Sequence, residues 1–220
     1  YEKHLGVRAT VIPPSIDFLK VQTIDHSGKY LTFVNPSQEK GVYFFAGLAR
    51  ELANRRPDIP ILIVESRAKV ASLEEIPDFL MLKNLSRQGQ VDAPREFRKG
   101  TRVLLVPSLC EETFGRLIVE AGYNKIPCVF SNRGALPETS GNSLVCLPIS
   151  SRFDLSFRGS PSSEELKPWY DAIVNLWDDE DYAGRVGRQL FEKVSRFNEE
   201  STLEKNIVFF TKLLKARGRR

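Results

Sequence analysis

Two glutamates, Glu112 and Glu120, flank Gly115 in the stretch Pro107-Ser108-Leu109-Cys110-Glu111-Glu112-Thr113-Phe114-Gly115-Arg116-Leu117-Ile118-Val119-Glu120-Ala121. The apolar run Val103 to Val106 ends in Pro-Ser, a polar loop follows, and Leu117, Ile118 and Ala121 then fall at helical spacing, which predicts strand, loop, helix. A helix that starts at the carboxyl end of a buried strand aims free N–H groups and the positive end of its dipole above the sheet. Such a place suits an anion, most often phosphate. Carboxylates are odd company for phosphate alone.

If both glutamates were helical, they would stand roughly 12 Å apart along the axis and about 80° apart around it, on different faces. With Glu112 still in the loop, both can reach one elongated ligand with hydroxyls at its ends and a diphosphate between them. A sugar nucleotide has that form, its hexose and ribose hydroxyls donating to the two carboxylates. Taken in isolation, two such glutamates are more often a cap neighbour and a solvated helical residue. The flanking sequence decides between these readings.

Glu112-Thr113-Phe114-Gly115, Glu120-Ala121, Ile126-Pro127 and Ser131-Asn132-Arg133-Gly134-Ala135-Leu136-Pro137-Glu138 closely resemble the signature of the retaining GT-B glycosyltransferases of family 4, the glycosyl transferases group 1. Phe33-Val34-Asn35-Pro36-Ser37-Gln38-Glu39-Lys40-Gly41 resembles that family's first phosphate loop. The resemblance runs from about Thr10 to the end. It implies a retaining, metal-independent transferase with a nucleotide-diphosphate sugar as donor and no further cofactor. Lys40 and Glu112 would be catalytic, with Lys40 on the diphosphate and Glu112 on the transferred sugar. Asn35, Gly41, Val91, Thr113, Phe114, Gly115, Arg116 and Glu120 would line the donor site, with Glu120 on the ribose and the base near Gln90-Val91. Relatives usually carry an arginine where Asn35 stands. An amide supplies neither the charge nor the fork, so the diphosphate is held more weakly, or Arg116 or Arg133 substitutes.

From Tyr30 onward, apolar runs alternate with turns and amphipathic segments, which predicts an α/β doubly wound parallel sheet with ligands above the strands' carboxyl ends. In the resemblance this is the C-terminal, Rossmann-like half of a GT-B fold, followed by C-terminal helices. Candidate strands are Leu31 to Val34, Ile59 to Val64, Phe79 to Leu82, Val103 to Val106, Cys128 to Ser131 and Leu144 to Leu147. Asn35 to Gly41, Glu65-Ser66-Arg67, Ser108 to Gly115 and Asn132 to Gly134 fall at strand ends, a convergence stronger than any one motif. Phe44, Phe45, Leu48, Ala49 and Leu52 give the first helix a broad apolar face. Helices are also expected around Trp169 to Trp177, Glu180 to Phe197 and Ser201 to Ala216, with Trp169, Ile173, Leu176, Leu190, Val194, Ile207, Phe210 and Leu214 as core residues.

The expected organisation is a linker with the remnant of a missing N-terminal GT-B domain over 1–28, a nucleotide-sugar-binding domain over 29–200 and a crossover helix over 201–220. Pro13-Pro14 stops a strand and stiffens the linker. In relatives the last helix covers the first domain, so without that domain its apolar face would be exposed. The 220 residues are 41% hydrophobic and 27% charged, an ordinary globular composition. They hold no apolar run long enough to span a membrane. Cys110, Cys128 and Cys146, unpaired and without a CxxC, read as reduced thiols and place the chain in the cytoplasm. Net charge is +4, much of it from Lys212, Lys215, Arg217, Arg219 and Arg220, a cluster that permits peripheral contact with a membrane. A nucleic-acid partner is not expected, because no surface pattern interleaves aromatic and basic residues. A non-catalytic sugar-nucleotide-binding module, prompted by Asn35, and a sugar-nucleotide epimerase are the competing readings.

Overall fold

A computed structural model describes residues 6, 9–23, 28–66, 68, 76–89, 95–141 and 145–217. After a four-residue helix α1 (Phe18–Val21), strands and helices alternate: β1 (Tyr30–Val34), α2 (Val42–Arg55), β2 (Ile61–Val64), α3 (Pro77–Leu80), β3 (Leu85–Gln88), α4 (Arg95–Gly100), β4 (Thr101–Val106), α5 (Arg116–Tyr123), β5 (Cys128–Ser131), α6 (Leu136–Ser140) and β6 (Cys146–Leu147). Three long helices, α7 (Ser163–Asp178), α8 (Glu180–Val194) and α9 (Glu199–Arg217), close the chain, with a 3-10 turn at Ser195–Phe197 between the last two.

The six strands form one sheet in the order β3-β2-β1-β4-β5-β6, and every pairing is parallel. A parallel sheet is covered on both faces, so its strands read as unbroken apolar runs rather than alternating ones. The two-residue period then sorts each strand between two cores. Leu31, Phe33, Ile61, Ile63, Val103 and Leu105 face the side where α2 and α7 pack. Val34, Leu62, Val64, Leu104, Val106, Cys128 and Phe130 face α5, α8 and the Ile16 to Val21 segment. Thr32 and Thr101 are buried polar exceptions whose hydroxyls bond each other at 2.8 Å. All five apolar residues expected on α2 are buried there, and Phe44 meets Trp169 of α7 edge to face at 5.2 Å.

The polar stretch before α7 ends in a capping box. Ser162 Oγ accepts from the Glu165 N–H at 3.3 Å while Glu165 Oε2 accepts from the Ser162 N–H at 2.8 Å. Arg152 forks onto the same carboxylate and holds it well below the usual range, at about 2. Ser162→Ala is expected to cost about 1 kcal/mol, or roughly 2–4 °C in melting temperature for a domain of this size. Because the Glu165 pKa is depressed on folding, its contribution holds above about pH 4.5 and fades as pH falls towards 2. Thermal scans of Glu165→Gln beside the parent across that window test the direction.

Three expectations need correction. Phe79 to Leu82 is not a strand: Phe79 and Leu80 end the short helix α3 and a turn follows, with Pro77 at the first helical position. Short apolar runs fit strand and buried helix equally, and Pro at N1 favours the helix. The strand is Leu85–Gln88, an edge strand with exposed Ser86 and Arg87 whose polar sequence lacks the apolar signal. The second strand starts at Ile61 rather than Ile59. On α9, Ile207, Phe210 and Leu214 are not core but lie on the exposed apolar face expected of the last helix: with Leu203 they form a stripe at i, i+4, i+7 and i+11, while Thr202 is the one buried residue of the helix. Trp169, Ile173, Leu176, Leu190 and Val194 are buried as expected. Leu144 lies outside the described residues, and none of the described helices is long and apolar enough to cross a membrane.

Candidate active site

The chain leaves β1 towards β2 and leaves β4 towards β5, on opposite sides of the sheet. Because β1 and β4 are neighbours, their outgoing loops part at the strands' carboxyl ends and open a crevice, the place where open α/β sheets bind ligands. The two loops are Asn35 to Gly41 and Pro107 to Gly115. They are bound together: the Leu109 and Cys110 N–H groups both donate to the Glu39 carbonyl, at 2.9 and 3.3 Å. Gly41 sits at φ +78°, and a Cβ there would fall on the Pro107 carbonyl oxygen.

This interlock carries Lys40 onto Glu112. Their side chains form a part-buried ion pair, 23% and 14% exposed. Ser108 Oγ donates to the same carboxylate oxygen, Oε1, at 2.7 Å, and the Ser108 carbonyl accepts from Ser131 Oγ at the end of β5, also at 2.7 Å. The Asn132 to Gly134 loop locks in from the third side. Ala135 N–H donates to the Glu112 carbonyl at 2.7 Å, Gly134 N–H to Glu111 Oε2 at 2.8 Å, and a Cβ on Gly134 would collide with the Glu112 backbone. Three of the four segments expected at strand ends therefore meet at Glu112. In the fourth, Arg67 lies outside the described residues, as do Val91 and Gln90.

Helices α2 and α5 open with left-handed glycines, Gly41 and Gly115 (φ +79°), so neither start carries a side-chain cap. Uncapped N–H groups at a helix start remain available to a ligand anion. Glu112 is in the loop and Glu120 in α5. Phe114 packs edge to face on Phe197 at 4.9 Å, and its carbonyl accepts from Thr139 Oγ1 at 2.5 Å. Thr113 and Phe114 also line a groove of 580 Å³ shared with Pro13, Pro14, Arg196 and Phe197, which puts the stiffened N-terminal segment beside the site.

Glu120 is held from two directions. Oε2 accepts from Arg98 Nη1 and Oε1 from Arg116 Nε, each at 2.6 Å. Arg98, at the end of α4, was not anticipated; nothing local in Arg98-Lys99-Gly100 marks it, because its partner lies 22 residues further on. Ser108 was foreseeable only as the residue after the strand-ending proline. Asn35 has a backbone role: it adopts φ +61°, a region that asparagine tolerates better than larger residues, and its Oδ1 accepts from the Ala68 N–H at 2.8 Å. Arg133 bonds the Ser150 carbonyl at 3.1 Å and lies 3.9 Å from Glu111. Burial pushes the Cys110, Cys128 and Cys146 thiols up, which leaves little nucleophilic thiolate at neutral pH.

The fold is a Rossmann-like unit of the GT-B type. The profile of the glycosyl transferases group 1 matches residues 17–144, more than half of the chain, and the chain belongs to that family. No curated protein matches it. Among solved structures it is similar to the pneumococcal O-GlcNAc transferase GtfA in complex with UDP and GlcNAc, at 20% identity and a TM-score of 0.71, covering 91% of this chain and 38% of that one. It is similar to Anabaena HepE in complex with UDP and glucose at 15% identity and a TM-score of 0.71, covering 92% and 57%. TarM matches at 16% identity and a TM-score of 0.65, covering 91% and 37%. At these identities the likeness is one of fold, and this chain spans from 37% to 57% of those three proteins' length.

Proposed function

We propose that this chain is the donor-binding domain of a retaining, metal-independent glycosyltransferase that moves a hexosyl group from a nucleotide-diphosphate sugar to a hydroxyl acceptor. The observation that carries the reading is the Lys40, Glu112 and Ser108 cluster between the two uncapped helix starts at the crevice. Lys40 and Glu112 neutralise each other. A donor brings a partner for each: its diphosphate takes the ammonium, and its sugar hydroxyls donate to the carboxylate. The exchange leaves no charge unpaired, which lowers the cost of opening the pair.

As the glycosidic bond breaks, positive charge develops on the sugar ring and negative charge on the diphosphate. In this reading Lys40 and the N–H groups of Phe114 and Gly115 stabilise the latter. In a front-face mechanism the leaving phosphate takes the acceptor's proton, and no separate general base is needed. Acceptor contacts and cleft closure are assigned to an N-terminal GT-B domain. Contact of the basic α9 end with a membrane surface and a cytoplasmic setting belong to the same proposal.

UDP, the nucleotide in the GtfA and HepE complexes, is the first ligand to try. At a hundredfold excess over Kd it is expected to stabilise the chain by about 2.7 kcal/mol, or roughly 5–10 °C. No shift with UDP, ADP, GDP or dTDP would refute a nucleotide site. Retention is tested separately, by the anomeric configuration of the first product formed.

Asn35 favours a second reading, a non-catalytic sugar-nucleotide-binding module, because its side chain serves the Ala68 backbone rather than a phosphate. Asn35→Arg separates the two. If Lys40 and the helix starts supply the charge, the substitution does not tighten UDP binding and costs about 1 kcal/mol of stability through left-handed strain. A tenfold gain in affinity would favour the module with a weakened site.

A further inference from the structure

The two arginines on Glu120 are not equivalent. Arg98 is 3% exposed and Arg116 is 71% exposed, on a carboxylate that is 8% exposed. We propose that Arg98 is a positioning residue that permanently fixes Oε2 of Glu120, and that Arg116 is an exchangeable stand-in on Oε1, displaced when the vicinal hydroxyls of a ribose bind. The proposal rests on the assignment of Glu120 to ribose made above.

Arg98 is anchored at a second point, its Nε donating to the Val21 carbonyl at 3.1 Å. That carbonyl also accepts from Asn124 Nδ2 at 3.0 Å, and Asn124 Nδ2 donates in turn to the Glu120 carbonyl at 2.8 Å. Arg98, Glu120, Asn124 and Val21 thus close a ring that fixes Glu120 through both its carboxylate and its backbone. Arg116 is tied to Glu120 by one i,i+4 bond at the surface. Exposed helical pairs of this kind contribute little and break readily, whereas removing one partner of a buried pair leaves a charge stranded. A ligand hydroxyl arriving at Glu120 therefore displaces Arg116 and keeps Arg98. With Oε2 held, Oε1 and the remaining acceptor capacity of Oε2 present the pair of sites a vicinal diol needs.

The test compares Kd values for UDP, 2′,3′-dideoxy-UDP and inorganic pyrophosphate by calorimetry. Parent protein is expected to prefer UDP over the dideoxy form by about tenfold or more, the worth of one hydrogen bond to a charged group. Arg98→Met should bring that ratio towards one and leave pyrophosphate binding unchanged. Arg98→Lys, which keeps the charge but cannot serve both Val21 and Glu120, should give an intermediate ratio and carries the test if the methionine variant does not fold. Arg116→Ala should keep or raise the ratio. An unchanged ratio in Arg98→Lys, parallel loss of pyrophosphate and UDP, or collapse of the ratio in Arg116→Ala would each overturn the proposal. If Glu120→Gln leaves the ratio intact, the ribose assignment itself fails, an outcome distinct from failure at Arg98 alone.

Discussion

Gly41→Ala is expected to lower the melting temperature by roughly 10 °C and to abolish nucleotide binding in whatever fraction remains folded. Two costs add. At φ +78° an L-residue pays about 1–2 kcal/mol against glycine. The new methyl group also meets the Pro107 carbonyl oxygen, which is backbone at the end of a central strand and has no rotamer to escape into. Forcing such an overlap costs about 1–3 kcal/mol more through backbone shifts, and for a domain of this size each kcal/mol is worth roughly 2–4 °C. The binding loss has a different origin. Moving Gly41 off Pro107 separates the two loops that Glu39 ties together, and with them Lys40 from Glu112. Gly187→Ala supplies the comparison, since its Cβ would likewise strike a backbone carbonyl, that of Lys125, but between α8 and the α5–β5 turn. Both variants should lose stability, and only Gly41→Ala should lose UDP affinity as measured on folded protein below its transition. Equal affinity losses would mean that the loop contact is no more than packing.

The same interlock shows which features could be read along the chain. Strands β1, β2, β4 and β5 were visible because a parallel sheet buried on both faces demands continuous apolar runs, and the β-branched residues of Ile61 to Val64 favour strand over helix, unlike Phe79 to Leu82. β3 escaped because an edge strand carries no such demand: Leu85-Ser86-Arg87-Gln88 pairs through its backbone with β2, and its composition is free to be polar. Ile207, Phe210 and Leu214 mark the opposite limit. Helical period reports that a face is apolar and says nothing of what covers it, and here the stripe is open.

At the site, Lys40, Glu112 and the glycines were legible because each sits at a strand end, where local sequence and chain topology coincide. Arg98 was not. Its meaning depends on the fold carrying the end of α4 to Glu120 of α5, a tertiary fact with no local trace. Asn35 could be located but not understood, because the N–H that occupies its side chain belongs to Ala68, in the loop after β2.

Lys40→Met is expected to cut the rate of sugar transfer by roughly 10²–10³, the usual loss when one preorganised donor to a developing charge is removed. Ground-state binding of UDP should weaken less, since a hydrogen bond to a charged group is worth about 1.5–3 kcal/mol. The difference arises because charge on the diphosphate grows as the glycosidic bond breaks, so the ammonium matters more in the transition state than in the bound donor. Stability should change little. Glu112 keeps its bond from Ser108 and is partly open to water, so losing Lys40 does not strand a fully buried charge. Glu112→Gln should also slow transfer but spare UDP affinity, because UDP carries no transferred sugar for that carboxylate to hold. Combining the two substitutions should cost less than the product of the single effects, because Lys40 and Glu112 position each other across one ion pair. The measurements are UDP release in the presence of acceptor, on protein that carries the N-terminal GT-B domain, and calorimetric UDP affinity, both on folded protein at matched ionic strength. If Lys40→Met lowered affinity and turnover by the same factor, the lysine would hold donor and transition state alike, and its catalytic role would be withdrawn in favour of a binding one.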